Sequence, residues 1–198
     1  MMQKLLGLLL VLSTLVWGEA LDRTGPYLSL GVGYATLEDD GRMQTQKIDP
    51  QKNYTLMGGA FINKYLSVEL NIDYFEPFTN AENENTTTTF IVDVGAKAHY
   101  SVWHDRIDFY GAFGAGSILW KEKLNGVSQD DKAGVLRGDL GIGFRAVEWL
   151  TLNIGLRRYY FTLDHSYETK DSENNPVYNY DRFNMTATSA YANIEVQF

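Results

Sequence analysis

The stretch LGIGFRAVEWLTLNIGLRRY, residues 140–159, contains two runs in which apolar residues alternate with small or charged ones, joined at Glu148–Trp149 by almost nothing. Period two marks a strand with one face in an apolar environment, and two such runs across a minimal connection make an antiparallel hairpin. The other phase is unusual: Gly141 and Gly143 share a face in the first run, and Arg145 and Arg157 alternate with apolar neighbours. Glycine is a poor strand former with little to gain from water, so this face does not read as an ordinary solvated surface.

The same alternation recurs along the chain. Tyr27–Leu37 sets Leu28, Leu30, Val32 and Tyr34 against Ser29, Gly31, Gly33 and Ala35. Further strands are expected at Lys52–Ile62, Leu66–Phe75, Thr87–Tyr100, Arg106–Trp120, Ala133–Ala146, Leu150–Leu163 and Phe183–Phe198, eight in all. Short turns fall near Asn63–Lys64, Trp103–Asp105 and Glu148–Trp149. Four polar stretches, EDDGRMQTQKIDPQ, EPFTNAENENTTT, KEKLNGVSQDDK and DHSYETKDSENNPVYNYDR, are expected as long loops. Short and long connections therefore alternate, which in an up-and-down barrel gathers all turns at one end and all loops at the other. The loops hold 15 Asp and Glu against 7 Lys and Arg, so the formal net charge of −8 resides in them.

Composition agrees with an all-β chain: 18 Gly, 4 Pro and abundant aromatics (13 Tyr, 10 Phe, 4 Trp). The first twenty residues, with Lys4, the apolar run Leu5–Val16, and Gly18 and Ala20 before Leu21, read as a secretory signal peptide (1–20) ahead of one domain (21–198). No cysteine is present, which removes disulfides and thiolate chemistry. An acidic chain without a basic stripe is not expected to bind nucleic acid.

Whether the barrel is soluble or membrane-spanning turns on its two faces. Small residues (Ser29, Gly31, Gly33, Ala35; Ala112, Gly114, Gly116) make room inside a narrow barrel. Glu69, Asp73, Asp93, Lys97, Asp108, Arg137, Asp139, Arg145, Arg157 and Glu195 alternate with apolar neighbours and are expected to form a lumen charge network, six carboxylates against four cations, with His99 in phase. Such charges must pair, because leaving one uncompensated costs several kcal/mol. Aromatics are expected as two interfacial girdles, with Tyr65, Tyr100, Trp103, Trp149 and Phe198 at the turn end and Tyr34, Tyr74, Trp120 and Tyr160 near the loop end. Arg158 falls in the apolar phase, where its guanidinium would have to snorkel.

These features resemble the small eight-stranded outer-membrane barrels of Gram-negative bacteria, the group that includes the outer membrane protein A transmembrane domain. The resemblance rests on YLSLGVGY, LSVELNIDY, YGAFGAG, the 140–159 hairpin and the closing YANIEVQF. It implies an eight-stranded antiparallel transmembrane barrel with periplasmic termini and an assembly signal at Phe198. Implied partners are outer-membrane lipids, lipopolysaccharide and the barrel assembly machinery, and no peptidoglycan-binding domain is expected. In YANIEVQF and the alanine before it, Ala190, Ala192, Ile194, Val196 and Phe198 should face lipid, and Tyr191, Asn193, Glu195 and Gln197 the lumen, with the eighth strand closing on the first.

Other motifs carry less chemistry. His165 and Ser166 invite comparison with barrel lipid A deacylases, but adjacent strand residues point to opposite faces. Asp39, Asp40 and Gly41 open like a calcium loop without the remaining ligands. His99, His104 and His165 are scattered, and the sequons at Asn53, Asn85 and Asn184 carry little weight in a bacterial reading. No metal, cofactor or catalysis is expected. The expected role is structural or surface-interacting through the loops, with a narrow ion-conducting pore as the alternative and a lipid-modifying enzyme behind it.

Overall fold

The computed structural model describes residues 23–39, 50–79, 86–124, 127–170 and 176–198. Eight strands, β1 (Gly25–Asp39), β2 (Gln51–Asn63), β3 (Leu66–Thr79), β4 (Thr86–Val102), β5 (Ile107–Leu124), β6 (Val127–Val147), β7 (Leu150–Lys170) and β8 (Pro176–Gln197), close into a barrel in sequence order. Each pairs antiparallel with its neighbours, and β8 closes on β1 from Tyr27↔Gln197 to Asp39↔Met185. The three turns lie where the sequence places them. The turn between β4 and β5 winds left-handed through Trp103, His104 and Asp105, with φ of 58°, 55° and 59°. It is pinned by the Arg106 amide donating to the Trp103 carbonyl at 3.2 Å.

Two of the four expected loops are instead largely strand. β5 runs to Leu124 and β6 starts at Val127, so most of KEKLNGVSQDDK lies in a hairpin; β7 and β8 likewise carry most of the 164–182 stretch. Polar composition reads as loop, yet a ribbon with water on its flanks needs no apolar alternation to pair its backbone. The other two stretches include residues 40–49 and 80–85, outside the described residues. Above Val135↔Phe161 the described parts of β6 and β7 no longer pair with each other, although both strands continue.

The wall reverses polarity partway up. Toward the turn end the outside is apolar, with Leu30, Val94, Leu140, Ile154 and Leu156 more than half exposed and Leu140 reaching 71%. The inside there is polar. Toward the loop end the interior becomes an apolar plug, in which Ala35, Leu37, Phe75, Phe78, Ile91, Ile118, Trp120, Val135, Phe161, Leu163, Met185 and Ala187 are buried together. Outside that plug stand Lys121 paired with Asp130 at 3.6 Å and Arg158 with Glu38 at 3.7 Å. Below the crossover the barrel is inside-out relative to a soluble protein, and above it the arrangement is conventional.

This reversal corrects the assignment of Trp120. It is 5% exposed and inside the barrel, its ring 5.9 Å from that of Phe161, and is not part of an interfacial girdle. It shares the inward phase of Gly114, Gly116 and Ile118, and in the upper barrel that phase is the apolar one. Arg158 has the complementary explanation: the outward phase of β7 has become the polar one by that level.

Three inward tyrosines each face a glycine across a strand pair: Tyr27↔Gly59, Tyr110↔Gly141 and Tyr191↔Gly155. A Cβ at position 141 would overlap the Tyr110 hydroxyl, and one at 59 would overlap Tyr27 Cζ. The glycines let large rings lie flat along the wall of a narrow interior.

Candidate functional site: a buried charge web

All ten residues of the expected lumen set are buried inside the barrel. Arg137 lies at the centre of the web. Its Nε donates to Asp93 at 2.8 Å, its Nη2 to Glu69 at 2.7 Å, and its Nη1 to Asp139. Asp139 also accepts from Arg157 Nε at 2.8 Å, and Arg157 Nη1 reaches Asp73 at 2.6 Å and Asn71 at 3.0 Å. Asp73 is further held by Thr55 and Tyr159 hydroxyls. Lys97 lies 3.2 Å from Glu69 and 3.8 Å from Glu195, and its ammonium sits over the rings of Tyr27 and Tyr110 at 5.3 and 5.0 Å. The Tyr27 hydroxyl donates to Glu69 at 3.0 Å.

Two members stand apart at the turn end. Arg145 donates to the Glu148 carbonyl at 2.9 Å and to Gln197 Oε1 at 2.5 Å. Asp108 belongs to a separate cluster with His99, Ser101 and Arg23: Arg23 Nη1 and His99 Nδ1 approach the same Asp108 oxygen at 2.5 and 2.8 Å, and Ser101 donates to the other at 3.1 Å.

Sequence reading misses two cations. Arg23, in the lead-in to β1, and Arg106, ending the β4–β5 turn, are buried at 4% and 5% exposure. With them the buried charges among the described residues balance, six carboxylates against six cations. An excess of two carboxylates in the strand-based set was the available signal. It pointed to further cations at the ends of strands and beyond them, where alternation is weak or absent. Tyr27, Tyr159 and Asn71 were also missed, since phase alone does not separate a ligand of the web from filler.

Ser67 Oγ, His99 Nε2, His99 Nδ1 and Asp108 form a chain with spacings of 3.0 and 2.8 Å, the order of a hydrolase triad. Ser67 is fully enclosed, its hydroxyl 3.4 Å from that of Tyr27. The chain therefore orients an imidazole without presenting a nucleophile. His165 and Ser166 lie on β7 opposite Asp181 and Tyr180, and their side chains fall outside the described ones. Asp40 and Gly41 of the calcium-like stretch, and Asn85, also lie outside the described residues. Asn53 is buried, donating to Asp73 at 3.3 Å and accepting from Ser189 at 2.7 Å, while Asn184 is exposed. Among the described residues no group of three or more His, Asp or Glu is placed to hold a metal.

Tyr65, Trp103 and Trp149 are exposed at the turn end, and Tyr34, Tyr74 and Tyr160 near the crossover. Phe198 is 75% exposed, its amide donating to the Pro26 carbonyl at 2.9 Å, so the last residue is stitched to the first strand.

Residues 5–190 match the family described as outer membrane protein beta-barrel domain. The fold resembles three solved barrels, each at 13% identity. Neisserial surface protein A has a TM-score of 0.66, covering 88% of this chain and 98% of that one. The outer membrane protein OprG from Pseudomonas aeruginosa has 0.54, with 91% and 100% covered. Ail, the attachment invasion locus protein of Yersinia pestis, has 0.52, with 87% and 99% covered. A search of curated proteins finds no match.

Proposed function

Because the chain belongs to the outer membrane protein beta-barrel domain family and so resides in the outer membrane, we propose that it is a non-enzymatic surface protein whose barrel anchors the β5–β6 and β7–β8 hairpins for contacts outside the cell. In this reading the turn end and both termini face the periplasm, after removal of residues 1–20. The observation that carries it is the pairing of an apolar plug with strands of 21 and 22 residues in β7 and β8, where about 9–11 suffice to cross a bilayer. Length beyond the membrane is more than anchoring needs, and in this reading it builds a platform. Lipopolysaccharide would meet the wall at the level of Tyr34, Tyr160 and Arg158, and the assembly machinery would read Phe198.

The test replaces 121–132 and 164–182 by short turns and compares binding of whole cells to host-type surfaces and envelope integrity with the parent. Loss of binding from a trimmed protein that still shifts mobility on heating in detergent gels is the expected result. Unchanged binding and integrity would sink the reading.

The interior charge column favours a second reading, a narrow ion path in which paired charges exchange partners. It requires the plug to part. Purified protein in a planar bilayer should then show discrete conductance that changes on substituting Arg145 or Glu69, and silence would remove this alternative.

A further inference from the structure

Above Val135↔Phe161 the barrel wall divides between β6 and β7, and the hydrogen-bond pattern fixes which backbone groups the division leaves bare. The Arg145 amide donates to the Arg106 carbonyl at 2.8 Å, so odd-numbered residues of β6 turn toward β5 in the unbroken register that runs to Leu124↔Val127. Even-numbered ones turn toward β7. Asp130, Lys132 and Gly134 direct their N–H and C=O groups to that side, and among the described residues none of them has a β7 residue opposite. A local contact agrees with this direction: the Lys132 amide donates to the neighbouring Asp131 carboxylate at 2.7 Å, where a ladder bond would otherwise be.

This edge borders a sheet rather than a lone ribbon. β6 pairs with β5 to Leu124↔Val127, β5 with β4 to Thr86↔Lys123, and β4 with β3 to Thr79↔Thr86. From Val127 to Gly134 the open edge exceeds the roughly 5–6 residues of a common strand. No proline interrupts it, and Gly134, beside the point of division, has open space where a side chain would stand. A bare edge of this length is a template for a further strand, and a glycine in it lets another backbone come close. In the inward phase, Ala133 packs against the apolar plug and Asp131 follows two residues toward the loop end. Across the division, 164–182 holds five Asp and Glu against two Lys and Arg.

We propose that the β6 edge at Asp130–Gly134 takes up an extended segment of another protein as an added antiparallel strand, apolar opposite Ala133 and cationic opposite Asp131. This rests on the surface-contact reading above and assigns those contacts to main-chain pairing. Guest residues that donate to β6 lie opposite its even positions and turn their side chains outward. Those opposite Ala133 and Asp131 turn their side chains to the plug and their N–H groups away. Asp131 then releases the Lys132 amide to the guest and takes the guest's cation.

The probe is a fluorescently labelled peptide, Thr-Val-Thr-Arg-Thr-Arg-Thr, added to the full protein in zwitterionic phosphatidylcholine vesicles. Saturable binding is expected from its anisotropy. N-methylation of the threonines blocks the donors facing β6 and should weaken binding about tenfold or more, whereas N-methylation of the valine and arginines, on the outer edge, should leave it within about twofold. Gly134→Pro removes a bare donor without touching the β5 ladder, and should weaken binding of the unmethylated peptide in a barrel that still shifts mobility on heating in detergent gels. No saturable binding, or equal binding of the two methylated peptides, overturns the proposal. Should Gly134→Pro fail to fold, the two methylated peptides decide on the parent protein. Whole cells separate this proposal from the reading beneath it. If trimming 121–132 and 164–182 abolishes surface binding and Gly134→Pro leaves it intact, the surface reading stands and strand addition falls; if trimming changes nothing, the reading falls and takes the proposal with it.

Discussion

Arg137 holds three carboxylates on one guanidinium, and its removal leaves Glu69, Asp93 and Asp139 facing one another in a closed space. Arg137→Met should therefore cost on the order of 3–5 kcal/mol, read from urea unfolding in lipid vesicles. The double substitution with Glu69→Gln should recover part of that loss, since it removes one of the stranded charges. Gly141→Ala tests a different constraint. Its new methyl group would overlap the Tyr110 hydroxyl and the Ile154 carbonyl, and about 1–3 kcal/mol of destabilisation is expected, eased by Tyr110→Ala. The ten strand-borne charges were legible because each interrupts an apolar alternation. Arg23 was not, because a residue in a lead-in has no phase to violate, and Arg106, first residue of an expected strand, had alternation on one side only.

A single strand can change which of its faces meets water, and β7 does so between Arg157 and Phe161. Below, Leu152, Ile154 and Leu156 face out while Asn153 and Arg157 face in; above, Tyr159, Phe161 and Leu163 face in. Period two was visible throughout, so strand number, order and turns could be read directly. The rule that apolar side chains face out was carried upward unchanged, and that misplaced Trp120, whose phase is inward. Quenching by brominated lipids distinguishes the two placements: emission from Trp103 and Trp149 should fall, and emission from Trp120, isolated by replacing the other tryptophans with Phe, should not. Hairpin length was illegible for a related reason. Above the membrane the alternation that marks a strand is no longer demanded, and Lys121, Asp130 and Lys132 in the strands read as loop.

For the molecule as a whole, closure is the governing event, because eight paired strands leave no free edge within the bilayer. The seam is fixed at both ends of the chain: the Phe198 amide meets the Pro26 carbonyl at 2.9 Å, and Gln197 Nε2 meets the Thr24 carbonyl at 2.5 Å. Deleting Phe198 should slow outer-membrane insertion in cells more than it lowers the stability of protein folded in vesicles, and an equal effect on both would make the residue merely structural. Overall architecture was the most legible level, since eight alternations and three short turns admit few arrangements. The proposed role outside the cell was the least legible, since contacts of the kind proposed for the hairpins would leave no periodic trace.

The polarity crossover also gives the barrel a vertical address. From Leu150 to Leu156 the outer face of β7 is apolar, and Arg158 marks the level at which that face leaves hydrocarbon. Sinking the barrel further would draw the Arg158–Glu38 pair into hydrocarbon, and lifting it would strand Leu152 and Ile154 in water. Depth in the bilayer is thus fixed by the chain itself, as a hull fixes its own waterline, and the height at which the two hairpins stand above the surface follows from it.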